Sequence, residues 1–280
     1  MLWSNSTAKG DSTVKGGDPM NIFVEGVQGA GKSTLVGLLA EHFPKYRVFR
    51  EGDYNPVELA WCAYLTEAQY AEMLAKYDSL RGEIIANTHT EGDHRIVTYT
   101  RIITDVPGFH KDLEQYEIYN NRLGRAEFEE IILGRYAKWN GDESVFECSM
   151  FQNIVENQIL FYEMKDEEIV DFFLRLKAVL AGRDFRILYL EADDIAGSLQ
   201  VIRKERVDEN GVEMWFPLMV GFLEESPHGT RHGLKGFEGL VKHMEHRRSV
   251  EKRILREVFP EKAVILRSKQ YDLNAVLANL

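Results

Sequence analysis

Short apolar runs recur along the chain, each closed by glycine or acidic residues, and longer stretches between them carry apolar positions three and four apart. The runs Ile22-Phe23-Val24, Tyr46-Arg47-Val48-Phe49-Arg50, Ser144-Val145-Phe146, Phe185-Arg186-Ile187-Leu188-Tyr189-Leu190 and Ala263-Val264-Ile265-Leu266 predict five strands. Helical spacing fills 33–43, 195–207 and 237–258, and one long or broken helical region covers 151–180. Strands alternating with helices predict an α/β fold, a parallel sheet with helices on both faces. A long segment, 54–143, is inserted between the second and third of these strands.

The first strand runs directly into Gly26-Val27-Gln28-Gly29-Ala30-Gly31-Lys32-Ser33, which fits G-x-x-x-x-G-K-[ST] at every fixed position. A helix follows from Ser33-Thr34 and ends near Pro44. Successive backbone N–H groups can turn inward around phosphate oxygens only where a Cβ would not clash, hence the glycines. The helix directs its positive N-terminal end at the same anion. Gly26, Gln28, Gly29, Ala30, Gly31, Lys32, Ser33 and Thr34 are therefore the expected nucleoside-triphosphate cradle. Lys32 is expected at the β/γ-phosphates and the Ser33 hydroxyl on Mg²⁺.

In open α/β sheets, ligands sit beyond the carboxyl ends of the strands. Glu51 and Asp53 follow the second strand, where an acceptor hydroxyl could meet the γ-phosphate. A glutamate is ionised at neutral pH and can take a proton, so Glu51 is the first candidate base and Asp53 the second. Glu147 follows an apolar strand, where an unpaired carboxylate is costly, and is assigned to Mg²⁺ with Ser33, through water. Arg203 and Arg206 follow the fourth strand and could close over the phosphates as charge develops, within a lid spanning 195–235. The alternative for them is a solvated helical face, paired with Glu205 and Asp208.

The insertion is rich in Tyr and Trp, with Trp61 and Tyr64 read as one helical face of an acceptor pocket. Within it, 94–104 alternates like a strand. Asp105-Val106-Pro107-Gly108 reads as a turn, since no guanine-reading Asn-Lys-x-Asp follows. His243 and His246, beside Arg247 and Arg248, read as a solvated helix face rather than a metal site. Ser226-Pro227-His228-Gly229-Thr230-Arg231-His232-Gly233 is a basic loop that either touches phosphate or is flexible.

Composition narrows the partners. Thirty-four basic against forty-five acidic side chains leave a net charge of −11, which argues against a broad nucleic-acid or anionic-membrane surface. The apolar runs are too short to cross a membrane. Two scattered cysteines, Cys62 and Cys148, suit buried thiols in a reducing compartment, and a cytoplasmic location is expected. Residues 1–19 lack periodicity and read as a disordered arm, with the folded domain spanning 21–280.

Taken together, these pieces resemble the P-loop kinases of the deoxynucleoside-kinase and thymidylate-kinase group. The matching residues are Gly26–Thr34, Arg50-Glu51-Gly52, Asn55-Pro56-Val57 with Trp61, Val145-Phe146-Glu147-Cys148-Ser149, Leu188–Ala192 and Arg203–Gly211, in the family's order. The resemblance implies a five-stranded parallel sheet, a mobile lid carrying Arg203 and Arg206, ATP–Mg²⁺ as donor, and a nucleoside-like small-molecule acceptor. In the deoxynucleoside kinases a Glu-Pro pair supplies the carboxylate facing the acceptor. Here Asn55 precedes Pro56, which moves that role to Glu51 or Asp53. Cys148 stands where the family usually has arginine, so one phosphate-facing cation is missing or supplied elsewhere. Both departures admit an antibiotic or other hydroxylated metabolite as acceptor. A regulatory ATPase switch is the reading from another class, and a homodimer is left open.

Overall fold

The computed structural model describes residues 20–280; the arm expected over 1–19 lies outside the described residues. Strand β1 (Asn21–Gly26) is buried along its whole length and passes through a glycine loop into helix α1 (Lys32–His42). Strand β2 (Arg47–Phe49) follows and the insertion begins. The insertion contains β3 (Ala63–Thr66), α2 (Glu67–Lys76), α3 (Arg81–Ala86), β4 (Thr88–Glu91), β5 (His94–Val97), α4 (Phe109–Glu114) and α5 (Arg125–Lys138). Strand β6 (Ser144–Glu147) then leads to α6 (Gln152–Leu160), α7 (Asp166–Val179) and β7 (Phe185–Glu191). The chain closes with α8 (Ile195–Glu205), α9 (Trp215–Glu225), α10 (Pro227–His232), α11 (Gly236–Glu257), β8 (Ala263–Arg267) and α12 (Leu273–Leu277).

The five expected strands form one all-parallel sheet, in the order β2-β6-β1-β7-β8, with helices packed against it. Because β1 is central and flanked on both sides, its side chains on either face meet core, and Ile22, Phe23 and Val24 are fully buried. Phe23 stacks on Phe146 of β6 with ring centroids 4.8 Å apart, and Phe49 of β2 stacks on the other side of Phe146 at 4.9 Å. This aromatic row ties three neighbouring strands together, an effect worth roughly 0.5–1.5 kcal/mol per ring pair beyond area burial. Register does the positioning: Val24 lies opposite Glu147, so the carboxylate at the end of β6 stands beside the entry to the loop.

The insertion carries a second sheet. Strands β3, β5 and β4 make a three-stranded antiparallel sheet with a core of its own, built on Leu65, Tyr70, Met73, Val97, Tyr99 and Phe109. The alternation expected over 94–104 covers only β5, after which Tyr99–Arg101 turns as a 3-10 helix. Trp61 and Tyr64 do not share a helical face: Trp61 sits in a turn with φ of 64° and Tyr64 is in β3, stacked on His94. Helix α2 starts on a capping box, in which Thr66 and Gln69 satisfy each other's backbone N–H groups. The long region over 151–180 is two helices, broken by a turn through Glu163, where φ is 46°. Both cysteines are buried free thiols. Among the described residues no helix is long and apolar enough to cross a membrane.

Candidate active site

The glycines of the loop are required by geometry rather than by composition. Gly26, Gly29 and Gly31 have φ of 135°, 77° and 92°, a region that penalises any side chain. A Cβ on Gly26 would stand 2.6 Å from the backbone oxygen of Leu190 on β7, and one on Gly29 would collide with Ile202 of α8. The loop closes on itself through Ala30 N–H, which donates to Val27 O at 3.2 Å. Gly31 caps α1, so the helix N-terminus opens into the loop.

Lys32 is only 7% exposed, and its ammonium donates to Gly26 O at 2.8 Å and Val27 O at 2.9 Å. The charge is thus folded over the loop's own carbonyls. Ser33 Oγ donates to Glu147 Oε1, joining two residues 114 positions apart. That contact unites the two expected metal ligands. A hydroxyl and a carboxylate, both hard oxygen donors, suit Mg²⁺, which keeps several of its waters and asks for few protein ligands. The other oxygen of Glu147 lies 3.9 Å from Arg50. Thr34 is exposed at the start of α1, beside Ser33.

The turn after β2 separates Glu51 from Asp53. Glu51 Oε1 accepts from Trp61 Nε1 and from Gln152 Nε2, each at 3.1 Å. Asp53 has both oxygens engaged: Oδ2 accepts from Arg50 N–H at 2.9 Å and Oδ1 pairs with Arg101. Asn55, which precedes Pro56, is buried and structural; its amide donates to Ser149 Oγ at 2.7 Å while its Oδ1 accepts from Val57 N–H. Trp61 is 45% exposed and held at positive φ, which is strain stored beside Glu51.

Helix α8 lies against the loop through Ile202 and the Ser198 carbonyl, but Arg203 in its last turn and Arg206 at its C-cap point elsewhere. Arg203 forms a forked pair with Glu213, with N–O distances of 2.9–3.2 Å, and stacks over the Phe216 ring at 4.0 Å. Arg206 lies 5.8 Å from the Trp215 ring. The partner of Arg203 is therefore neither Glu205 nor Asp208, as its alternative reading expected, but a residue across the Val207–Glu213 bridge.

Five residues near these groups were not read from the sequence as part of the site. Gln152 donates to Glu51 from the first turn of α6. Arg101 neutralises Asp53 from within the insertion. Ser268, just after β8, donates to Ala30 O at 2.8 Å, and the neighbouring Lys269 approaches Gly31. Arg247 of α11 is fully buried and donates to Gln28 Oε1 at 2.6 Å. The expected solvated face of α11 is thus wrong for its inner residues. His243, Arg247 and Glu251 recur every fourth position and face inward, where Arg247 pairs with Glu156 and with Glu251. No local signal marks such a stripe; only three charged or polar residues at helical spacing hinted at it.

Buried acids give the fold a pH signature. Burial pushes Glu25 up to about 7, against the pull of the Met150 N–H. Burial likewise raises Glu58 to about 8 and Glu117 to about 7, opposed by hydrogen bonds from Tyr119 and Tyr99. These acids hold their protons to higher pH in the folded chain than in the unfolded one. Their contribution is complete below the ordinary carboxylate range, about 4.5, and is lost as pH climbs through 7 to 8. Glu156 behaves oppositely: burial would raise it, but Arg247 and then His243 outweigh burial and hold it at about 2. Its contribution is present above 4.5 and lost as pH falls toward 2. The melting temperature is therefore expected to peak near pH 5 and to fall by several degrees by pH 8, with Glu58→Gln flattening that upper limb. Thermal melts at constant ionic strength check this, and a melting temperature that climbs steadily from pH 5 to 8 contradicts it.

No family model matches the chain, and no curated protein matches it. Among solved structures, the chain is similar to shikimate kinase from Bacteroides thetaiotaomicron, at 12% identity over 93% of this chain and 94% of that one, with a TM-score of 0.35. It is also similar to the herpes thymidine kinase EHV4-TK, solved in complex with Thy and ADP, at 11% identity over 72% of this chain and 56% of that one, with a TM-score of 0.24. TM-scores this low carry neither a mechanism nor a substrate from those proteins to this chain.

Proposed function

We propose that the chain is an ATP- and Mg²⁺-dependent phosphotransferase of the P-loop kinase type, acting on a small hydroxylated or phosphorylated acceptor, most simply a nucleoside- or nucleotide-like one. The observation that carries the reading is the contact of Ser33 with Glu147 at the mouth of a positive-φ glycine loop whose lysine lies inside it. Three independently placed elements, α1, β6 and the loop, meet there with the groups that phosphoryl transfer asks for.

When bound, Mg²⁺ supplies charge neutralisation at the phosphate oxygens, and Ser33 and Glu147 would hold it. Lys32, released from Gly26 O and Val27 O, places its ammonium on the phosphate chain. The loop N–H groups and the α1 terminus stabilise the same charge without reorganising. Glu51 takes the acceptor's proton at Oε2, while Trp61 and Gln152 hold Oε1 and so fix the carboxylate's direction. Asp53 is a positioning residue in this scheme, because Arg50 N–H and Arg101 occupy both its oxygens. Arg50, close to Glu147, supplies the cation that Cys148 does not. Arg203 and Arg206 reach the phosphates only if the segment after α8 gives up the pair with Glu213, which is the motion expected of a lid.

Since Asn55 is committed to Ser149 and the backbone, the acceptor is read by the Glu51–Trp61–Gln152 group, which suits hydroxylated rings beyond ordinary deoxynucleosides. The test is ATP consumption across nucleosides, nucleotides and aminoglycosides, with mass spectrometry of the products. A phosphorylated acceptor formed one-for-one with ADP supports the kinase. ATP hydrolysis to free phosphate that no acceptor stimulates supports a regulatory ATPase and overturns the kinase.

A further inference from the structure

The basic segment at 226–233 and the histidines of α11, unrelated in sequence, meet in one place. Ser226 accepts from Gly229 N–H and caps α10, so the segment is a short helix rather than a loop. A cavity of about 190 Å³ opens between α10 and α11, lined by His228, His232, Leu234, Lys242, His243 and His246. His243 forms its floor and is 2% exposed, with neither ring nitrogen hydrogen-bonded. His228 and His246 are half-buried, while His232 and Lys242 are exposed at the rim. The His228 ring lies 4.3 Å from that of His232 and 6.3 Å from that of His246.

Two facts decide the sign of the ligand. Every titratable residue lining the cavity is a base, and one of them is a lysine, which repels a metal ion and attracts an anion. Among the described residues, no three His, Cys, Asp or Glu side chains are arranged to hold a metal. An imidazole with both nitrogens buried and unpartnered is costly, and the cost is removed by a ligand that accepts its N–H. We propose that this cavity is a binding site for a small tetrahedral oxyanion, a sulfate or phosphate group, held by the ring N–H groups of His243 and His228 with Lys242 and His232 at its mouth.

The surrounding charges fit this. The carboxylates that approach are already engaged: Asp166 of α7 with His246 at 2.9 Å, Glu163 with Arg231 at 3.0 Å, and Glu156 of α6 with Arg247. Glu156 Oε1 stands 3.8 Å from His243 Nε2, beyond hydrogen-bond reach. Desolvation, followed by the charges of His232, His243, His246 and Arg231, presses His228 down to about 4. A dianion in the cavity reverses the electrostatic part of that pressure, so binding takes up a proton and strengthens as pH falls. Through Glu156 and Arg247 the cavity shares a chain of buried contacts with Gln28 of the phosphate-type loop.

Sulfate is the probe, because its charge does not change between pH 6 and 8, and the full chain carrying Lys32→Ala removes competition from the phosphate-type loop. Ring nitrogens are followed by long-range ¹H–¹⁵N correlation at fixed ionic strength. Saturable shifts of His243 and His228 are expected, roughly tenfold weaker at pH 8 than at pH 6. The rim substitutions His232→Asn and Lys242→Met together are expected to weaken binding roughly tenfold more, with an unchanged melting temperature. A second arm uses glycerol 3-phosphate: affinity equal to that of sulfate assigns the cavity to a free ion, and a clearly tighter one to a phosphomonoester, both supporting the site. Shifts linear in sulfate, shifts indifferent to the rim substitutions, or saturation by zinc chloride alone without a response to sulfate would each overturn it.

Discussion

Replacing Lys32 with alanine is expected to lower phosphoryl transfer about 10³-fold while the melting temperature moves by only a few degrees. Its ammonium is the one full positive charge inside the loop, and its present partners are the Gly26 and Val27 carbonyls rather than a buried carboxylate. Removal leaves no orphaned buried anion; two carbonyls lose a donor, a cost of about 1–3 kcal/mol for charge-assisted bonds. Catalysis loses far more, because a loose phosphoryl-transfer transition state depends on positioned charge. Initial rates and thermal melts on the same preparation check this. Wild-type turnover in the variant would remove Lys32 from the scheme. A collapsed melting temperature would recast it as a structural residue.

Glu51→Gln is expected to lower transfer ~10²–10⁴-fold, the range for losing a general base. Glutamine is nearly isosteric and its oxygen can still accept from Trp61 and Gln152, so the turn should survive. Asp53→Asn provides the contrast. It weakens the pair with Arg101 and the cap on Arg50 N–H, so it should lower the melting temperature while largely sparing transfer. Steady-state rates for both variants decide the matter. A large loss in Asp53→Asn with normal rates in Glu51→Gln would exchange the two roles.

The glycine loop between β1 and α1 could be read directly because its geometry is local. Glycine spacing, the preceding apolar strand and the following helix all lie within Asn21–His42, and each is specified by its own residues. The pairing of Ser33 with Glu147 was reachable as well, since both follow central strands whose carboxyl ends must converge in a parallel sheet. What resisted reading was of two kinds. The strands of the insertion are four residues long, and although alternation marked β5, β4, Thr-His-Thr-Glu, is too polar to show an apolar face. On α11, the inward stripe of His243, Arg247 and Glu251 is polar, and a pattern argument assigns such residues to solvent. Their burial depends on Glu156 and Tyr189, partners supplied by α6 and β7 far away in sequence. Arg203 is a different case: its type and place suit a lid, while the forked partner it holds, Glu213, comes from beyond the turn.

The central claim is that the loop from Gly26 to Thr34, with Ser33 and Glu147, cups a magnesium-bound polyphosphate. Calorimetric titration of the full chain with a non-hydrolysable ATP analogue, with and without Mg²⁺, tests it most directly when repeated on Lys32→Ala and Glu147→Gln. The expected result is one-to-one binding that weakens at least about tenfold without Mg²⁺ and in Lys32→Ala, with Glu147→Gln losing most of the Mg²⁺ dependence. Absence of binding by the intact chain, or binding that neither substitution alters, would contradict the account.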